Sequence, residues 1–334
     1  MAIDAESIID RRQLRRKVTF WRIITFVILA GLIIALVKAT GIGNLLGEKN
    51  RDHIARVKIT GVITNDKPLL KLLGKLKKDK HVKGVILNIS SPGGSTVGGE
   101  AIFEAVRQLA EKKPVATSVG TLAASAGYMI ASASDHIVAR RSSIVGSIGV
   151  IFQYADASAL LDKIGVKVKE IKSSPLKAEP SPFHTTSQEA RDMINRVVLD
   201  SYNWFVELVA ERRNISKAET LKLADGSIYS GSQGLANKLI DAIGDEDTAK
   251  NWLVKEKGVS KDLKIVSWSP KRNEDGLFEN PASLVWLLGK FGLDITPNAA
   301  NELSKRIPQR LFLDGLISMW LNSDSMIDKR VMMR

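Results

Sequence analysis

Ser125 sits in a run of small side chains, Thr121-Leu122-Ala123-Ala124-Ser125-Ala126-Gly127-Tyr128, that leaves little bulk around its hydroxyl. The pattern turns there from an apolar strand into a helix. A helix N-terminus offers free backbone N–H groups and a positive dipole end, and both favour a developing oxyanion. A serine that merely caps a helix would look the same. Upstream, Ser91-Pro92-Gly93-Gly94 closes another apolar run. Paired glycines let a backbone approach a substrate closely and aim an N–H into a cleft, although an ordinary turn uses them too. An oxyanion hole needs two donors converging on one oxygen, and the N–H groups of Gly94 and Ala126 are the candidates. The chemistry in view is acyl transfer through a serine.

Such a serine needs a general base. The chain has only four histidines, His53, His81, His136 and His184. Asp135-His136 pairs a carboxylate with an imidazole in sequence, yet neighbours on a strand point to opposite faces. None of the four lies in a G-x-S-x-G elbow. Histidines and carboxylates do not cluster at metal-ligand spacing, so no metal and no cofactor is expected. Cysteine is absent, which removes disulfides and thiolate chemistry. A lysine can act as base if burial lowers its pKa by roughly three units from about 10.4. Spacing alone does not choose among the many lysines.

The elements that must position these groups follow a strand–helix rhythm. Val57–Val62 reads as a first strand, and Leu69, Leu72, Leu73 and Leu76 mark a helix whose Lys71, Lys75, Lys77 and Lys78 suit a solvated face. Gly84–Ile89 is a buried strand, with a helix after it carrying Ile102, Ala105, Val106 and Leu109 on one side. Val115–Val119 and His136–Ala139 are further strands, with helix from Ser125 to Ala133 between them. The alternation argues for parallel strands covered by helices, an α/β layer architecture. After Pro175, Pro180 and Pro182, Thr186 with Glu189 forms a capping box for a long helix. Ile194, Val198, Tyr202, Phe205 and Val209 are the buried stripe of that helix.

Arg11, Arg12, Arg15, Arg16, Lys17 and Arg22 form a basic cluster, and Ile23 to Val37 then carries no charge. That run spans about 22 Å as helix, short of a ~30 Å hydrocarbon core. Continuing through Lys38 to Leu46 supplies the length, with Lys38 snorkelling and Trp21 at the interface. The basic side stays in the cytoplasm. The expectation is an uncleaved single-pass anchor in a bacterial inner membrane, with the catalytic part periplasmic or otherwise extracytoplasmic. A cleaved signal peptide is the rival, but no small-x-small site follows the run. The formal charge of +13 comes without a nucleic-acid motif and fits an anionic lipid surface better than nucleic acid.

The motifs resemble, in order and spacing, the bacterial signal peptide peptidase A family of Ser–Lys proteases. The carrying stretches are Asn88-Ile89-Ser90-Ser91-Pro92-Gly93-Gly94-Ser95, Ala123 to Tyr128, and Ile144-Val145-Gly146-Ser147-Ile148-Gly149-Val150. The likeness runs from about Arg56 to Trp252 and implies a layered core similar to Clp protease and crotonase subunits. It implies Ser125 as nucleophile, Lys177 as general base, Gly94 as oxyanion donor and Ser147 as the serine that orients the lysine. Lys177 lies in Ser174-Pro175-Leu176-Lys177-Ala178-Glu179-Pro180-Ser181-Pro182-Phe183, where the family often has Lys-Asp or Lys-Ser in place of Lys177-Ala178. Lys172 is the alternative base. The implied substrates are remnant signal peptides. Single-repeat members form homo-oligomeric rings in which the lysine can come from a neighbouring subunit.

The expected organisation is a basic N-terminus over residues 1–22, an anchor over 23–46 and a linker over 47–56. The peptidase domain follows over 57–255, then a helical C-terminal extension over 256–334. Leu311, Phe312, Leu313, Leu316, Ile317, Met319 and Trp320 crowd large apolar groups into that extension. So much apolar surface calls for cover from a neighbouring subunit, from the domain itself or from the membrane. Two other readings compete: an acyl-CoA enzyme on the same fold, and a catalytically silent membrane scaffold.

Overall fold

The computed structural model describes residues 20–32, 47–271 and 317–319. The chain divides into two units, residues 1–53 and 54–334. In the first, residues 20–32 form a helix. Phe20, Trp21, Ile23, Phe26, Val27 and Leu29 are all exposed along it. Beyond Arg22 and Thr25 the helix is apolar around its circumference, which suits a non-aqueous surrounding rather than water. The helix covers only part of the expected anchor; residues 33–46 lie outside the described residues. No described helix is long and apolar enough to cross a membrane.

The second unit is built on one nine-stranded sheet. Its strands are β1 (His53–Ile63), β2 (Val82–Ser95), β3 (Val115–Ala124), β4 (His136–Ala139), β5 (Ile144–Gly146), β6 (Ile228–Ser230), β7 (Ala242–Ile243), β8 (Ile265–Trp268) and β9 (Ile317–Met319). The main path runs β6-β5-β3-β2-β1-β8; β4 joins β3 to β7, and β9 lies on β2. The pairs β2–β3, β3–β4, β3–β5, β4–β7 and β1–β8 are parallel. β3 changes partner midway: Ala116 to Val119 pair with β4, and Leu122 to Ala124 pair with β5.

Parallel strands need both faces covered, and the alternation of side chains divides them accordingly. On one face Val85, Leu87 and Ile89 of β2 join a core with Leu73 and Leu76 of helix α1 (Lys67–Lys78) and with Ile102, Val106 and Leu109 of α2 (Thr96–Ala110). Helix α3 (Ala126–Ser132) is buried throughout in the same core. On the other face Ile86, Ala116 and Val138 pack with Ile54, Ala249, Leu253 and Val259. α1 is capped by Asp66, whose side chain accepts from the Leu69 N–H, and its lysines stay outward.

The remaining helices are α4 (Ser158–Lys163), α5 (Gln188–Arg213), α6 (Lys217–Leu223), α7 (Gly231–Ala236) and α8 (Glu246–Lys257). The cap of α5 is Ser187, which accepts from the Ala190 N–H; the expected Thr186–Glu189 box is replaced by this single bond one residue on, where Ala190 has no group to return it. Of the expected stripe, Phe205 and Val209 are buried, whereas Ile194 and Val198 are only half-buried. The sheet also runs past residue 255, because β8 pairs in parallel with β1. The expectation of a helical extension over 256–334 is corrected at two places: Ile265–Trp268 and Ile317–Met319 are strands. A short strand held by its neighbour's backbone carries little periodicity of its own.

Candidate active site

Strand β3 delivers Ser125. Its last paired residue, Ala124, lies opposite Gly146 of β5, and the Ser125 N–H donates to the Gly146 carbonyl at 2.9 Å. The backbone then turns into α3, with Ser125 at φ 55° and ψ −121°. A side chain at positive φ is uncommon and marks a position held by its surroundings. The Met129 N–H donates to the Ser125 carbonyl at 2.9 Å and closes the first helical turn. Helix α3 has only seven residues, so individual N–H groups matter here more than a summed dipole. Tyr128, fully buried, anchors the helix by donating its hydroxyl to the Leu239 carbonyl at 2.8 Å. Burial raises that phenol's pKa, which keeps it protonated as the donor. Ser125 itself is 1 % exposed.

Ser147 stands beside this turn. It follows Gly146 at the end of β5, also at positive φ (52°), and its N–H donates to the Ser227 carbonyl at 2.7 Å. Gly146 has φ 96°, and a Cβ there would come within 2.8 Å of the Tyr229 ring. The strand ends β3 and β5 therefore present two serines side by side from parallel neighbours.

The second expected donor comes from β2. Ser91 is buried; its hydroxyl donates to the Gly61 carbonyl at 2.6 Å and accepts from the Gly93 N–H at 3.1 Å. That holds the turn through Pro92 and Gly93, where φ is 110°. Gly94 is pressed against the backbone of Ile63 so closely that any Cβ would overlap it. The turn reaches α3 as well: a Cβ on Gly127 would lie 2.9 Å from the Ser91 carbonyl oxygen. Gly94 and Ala126 thus belong to two backbone segments in contact.

Lys177 comes from elsewhere, on the segment between α4 and α5. It is exposed, and its backbone N–H donates to the Ser174 carbonyl at 3.1 Å; Ala178 after it has φ 63°. The segment is braced around Lys172, whose amine lies 2.6 Å from both Glu170 and Glu179. Ser181 adds hydrogen bonds to both carboxylates. The hydrogen bonds that Lys172 donates to Glu170 and Glu179 hold its amine above its ordinary pKa. A lysine held between two carboxylates in this way braces the segment it lies on. Glu170, Glu179 and His184 also approach one another closely enough to hold a cation, but the Lys172 amine already takes that charge. Sequence reasoning missed this brace, although Glu170-x-Lys172 and Glu179 at short spacing were visible.

The Asp135-His136 pair is occupied in other ways. His136 stacks on Trp252 with ring centroids 4.7 Å apart, and Asp135 pairs with Arg107. His136 lies opposite Ala116, at the start of β3, roughly 25–30 Å of strand from Ser125.

This arrangement is that of a layered α/β enzyme with a serine at the tip of a central strand. The profile of peptidase family S49 matches residues 107–260. A protein of Methanocaldococcus jannaschii provisionally assigned as a protease is 39 % identical over 221 residues, covering 66 % of this chain and 70 % of the relative. A provisionally assigned signal peptide peptidase of Enterococcus faecium is 39 % identical over 194 residues, 58 % of this chain and 56 % of the relative. Protease 4 of Haemophilus influenzae is 35 % identical over 184 residues, 55 % of this chain and 30 % of the relative. The chain belongs to peptidase family S49, the signal peptide peptidase A family of serine proteases.

Proposed function

We propose that the chain is a membrane-anchored endopeptidase that degrades remnant signal peptides and other membrane-derived peptides through Ser125 and Lys177. The observation that carries this reading is Ser125 held enclosed at positive φ on the strand-to-helix turn, with Ser147 beside it. Lys177 takes the Ser125 proton, the hydroxyl attacks the scissile carbonyl, and the N–H groups of Gly94 and Ala126 receive the oxyanion. The oxyanion collapses, the C–N bond breaks and Lys177 gives its proton to the leaving amine. Water, giving a proton to the freed lysine, then hydrolyses the acyl-enzyme, and that proton returns to Ser125. Ser147 orients the amine.

Two features bear on assembly and location. A lysine becomes a base near neutral pH only when removed from water, and Lys177 is exposed in a single copy. The segment around it also leaves Val166, Val168, Ile171, Leu176 and Phe183 exposed. A second copy of the chain covering this face would bury both, which favours a homo-oligomer whose site is completed across an interface. The largely apolar helix at residues 20–32 favours a lipid bilayer as anchor, and the basic cluster before it favours a catalytic unit outside the cytoplasm.

Ser125→Ala and Lys177→Ala should each abolish hydrolysis of a fluorogenic peptide while leaving the far-UV spectrum and assembly intact. The double variant should be little worse than either single one, because the groups act as a unit. Mixing the two inactive variants should restore partial activity if the pair forms between subunits. Turnover by purified Lys177→Ala would overturn the assignment of the base.

A further inference from the structure

Ser91 bears on both of the candidate oxyanion donors. Its hydroxyl donates to the Gly61 carbonyl at 2.6 Å and accepts from the Gly93 N–H at 3.1 Å. The Gly93 carbonyl oxygen lies 3.5 Å from the same hydroxyl. On its backbone side, the Ser91 carbonyl oxygen is so close to Gly127 that a Cβ there would stand 2.9 Å away. Gly127 follows Ala126 in the first turn of α3. Ser91 is fully buried. One residue therefore touches the Gly93–Gly94 turn through its hydroxyl and the start of α3 through its carbonyl.

Two glycines in succession need such a restraint. With no Cβ on either side, the peptide between them turns over at little steric cost. A peptide turned over would aim its carbonyl where the N–H belongs, and a carbonyl oxygen repels an oxyanion. A hydroxyl has one proton and two lone pairs. The short bond to Gly61 takes the proton, since 3.5 Å is at the limit for the Gly93 carbonyl. The lone pairs are left for the Gly93 N–H. A serine bonded to the N–H two residues on is a weak turn by itself, and donation to Gly61 strengthens it by polarising the hydroxyl. At the other side of the peptide, Gly94 is pressed on the Ile63 backbone. Both restraints come from the end of β1: Gly61 acts through Ser91, and Ile63 acts by direct contact.

We infer that Ser91 is a positioning residue for the oxyanion hole: anchored on the Gly61 carbonyl, its hydroxyl holds the Gly93–Gly94 turn so that the Gly94 N–H serves as donor. It acts through Gly94 and takes no part in proton transfer. The inference rests on the peptidase reading above and on Gly94 as a donor. Its effect is small while the scissile carbonyl is neutral and appears as charge develops on the oxygen.

The test compares the full chain carrying Ser91→Ala, which deletes only the hydroxyl, with the parent. Removing an oxyanion donor outright costs about 10²–10³ in kcat. A donor present but unheld should cost about ten- to a hundredfold, with KM for a fluorogenic peptide within about twofold of the parent. A peptide aldehyde, which adds the Ser125 hydroxyl across its carbonyl and sets the resulting oxygen in the hole, should lose affinity by the same factor. In a Ser125→Ala background the uncleaved peptide should bind equally with and without Ser91→Ala. Ser91→Cys, a weaker donor and acceptor of similar size, should recover part of both losses. If Ser91→Ala does not fold by circular dichroism, Ser91→Cys carries the comparison, with a severalfold loss of kcat and of aldehyde affinity expected. A lower urea midpoint with kcat per folded molecule and aldehyde affinity unchanged would overturn the inference and leave the peptidase intact. Equal losses for the aldehyde and the uncleaved peptide would also overturn it, by making Ser91 a residue of ground-state binding. A parent that neither hydrolyses peptide nor binds the aldehyde would overturn the peptidase reading, and this inference with it.

Discussion

Gly94 is the residue at which the site is least tolerant of change. A Cβ there would overlap the Ile63 backbone, and backbone cannot move aside as a flexible side chain can. Gly94→Ala should therefore destabilise the domain by about 1–3 kcal/mol, as overpacking does, and should abolish peptide hydrolysis. Urea unfolding monitored by tryptophan fluorescence measures the first effect, and a peptidase assay the second. A Gly93→Ala control meets a different obstacle, since φ there is 110°. Both glycines were legible in the sequence as a pair, but only the structure separates their reasons. One is needed for a close approach and the other for a backbone angle. The positive φ of Ser125 and Ser147 was not legible, because nothing in a serine's neighbours announces the left-handed region. Lys177 was reached through family resemblance, since its exposed turn offers no pattern that sets it apart from other lysines.

The brace on the segment between α4 and α5 makes an element-scale prediction. Hydrogen bonds from Lys172 hold the Glu170 and Glu179 carboxyls below the ordinary carboxylate range, and the same bonds raise the Lys172 amine. A depressed carboxylate stabilises the fold above its unfolded pKa and ceases to do so as pH falls through the folded value. A raised lysine stabilises below its unfolded pKa and ceases to do so as pH rises through the folded one. The brace should therefore hold from about pH 4.5 to 10.5 and loosen outside both limits. Hydrogen exchange over residues 170–184, corrected for intrinsic rates, should rise as pH is lowered from 6 to 3. Lys172→Met should already show the loosened pattern at pH 6. A protein whose exchange in this segment is the same at both pH values would contradict the brace. At this scale the sequence was informative where the apolar pattern was long: β2, β3, α1 and the second half of α5 were all anticipated. β8 and β9 were not, because strands of three or four residues depend on a neighbour's backbone rather than on their own alternation. Nor was the extension of β2 to Ser95, since Ser-Pro-Gly-Gly reads as a turn that ends a strand, whereas β2 bends there and continues.

At the scale of the molecule, the segment from Ile151 to Leu199 leaves an unusual number of large apolar side chains in water. Ile151, Tyr154, Leu160, Ile164, Val166 and Ile171 are all exposed, and soluble monomers rarely leave a broad apolar surface uncovered. Ile171→Asp and Val166→Asp should each lower the assembly mass measured by light scattering in detergent, with the fold retained by circular dichroism. If the site is completed across that interface, peptidase activity should fall in step with mass. An unchanged mass in both variants would place the interface elsewhere. The charge-free run near the N-terminus was legible as an apolar segment, and its described part, residues 20–32, is a helix, but an apolar stripe seen in one sequence does not say whether a domain or a neighbour will cover it. The half-covered N-terminal part of α5 shows that ambiguity: its stripe continues at helical spacing beyond the point where its own domain stops.

The change of partners along β3 divides the labour of a single strand. Its first half, Ala116 to Val119, lies between β2 and β4 with buried apolar side chains beneath it, whereas its second half, Leu122 to Ala124, leans on β5 and ends at Ser125. Between the halves the Ser143 hydroxyl caps the Gly120 carbonyl at 2.6 Å, which seals the gap left where β4 stops and β5 has yet to begin. The base thus carries buried packing and the tip carries Ser125, so substitutions in the two should act differently. Changes of volume in the base should alter how much protein a cell accumulates, and changes of identity at the tip should alter how fast each copy works. In a saturation survey the boundary between the two kinds of defect should fall at Gly120 and Thr121. A lineage could then retune the tip for new peptides while its base drifts among hydrophobic residues of similar size.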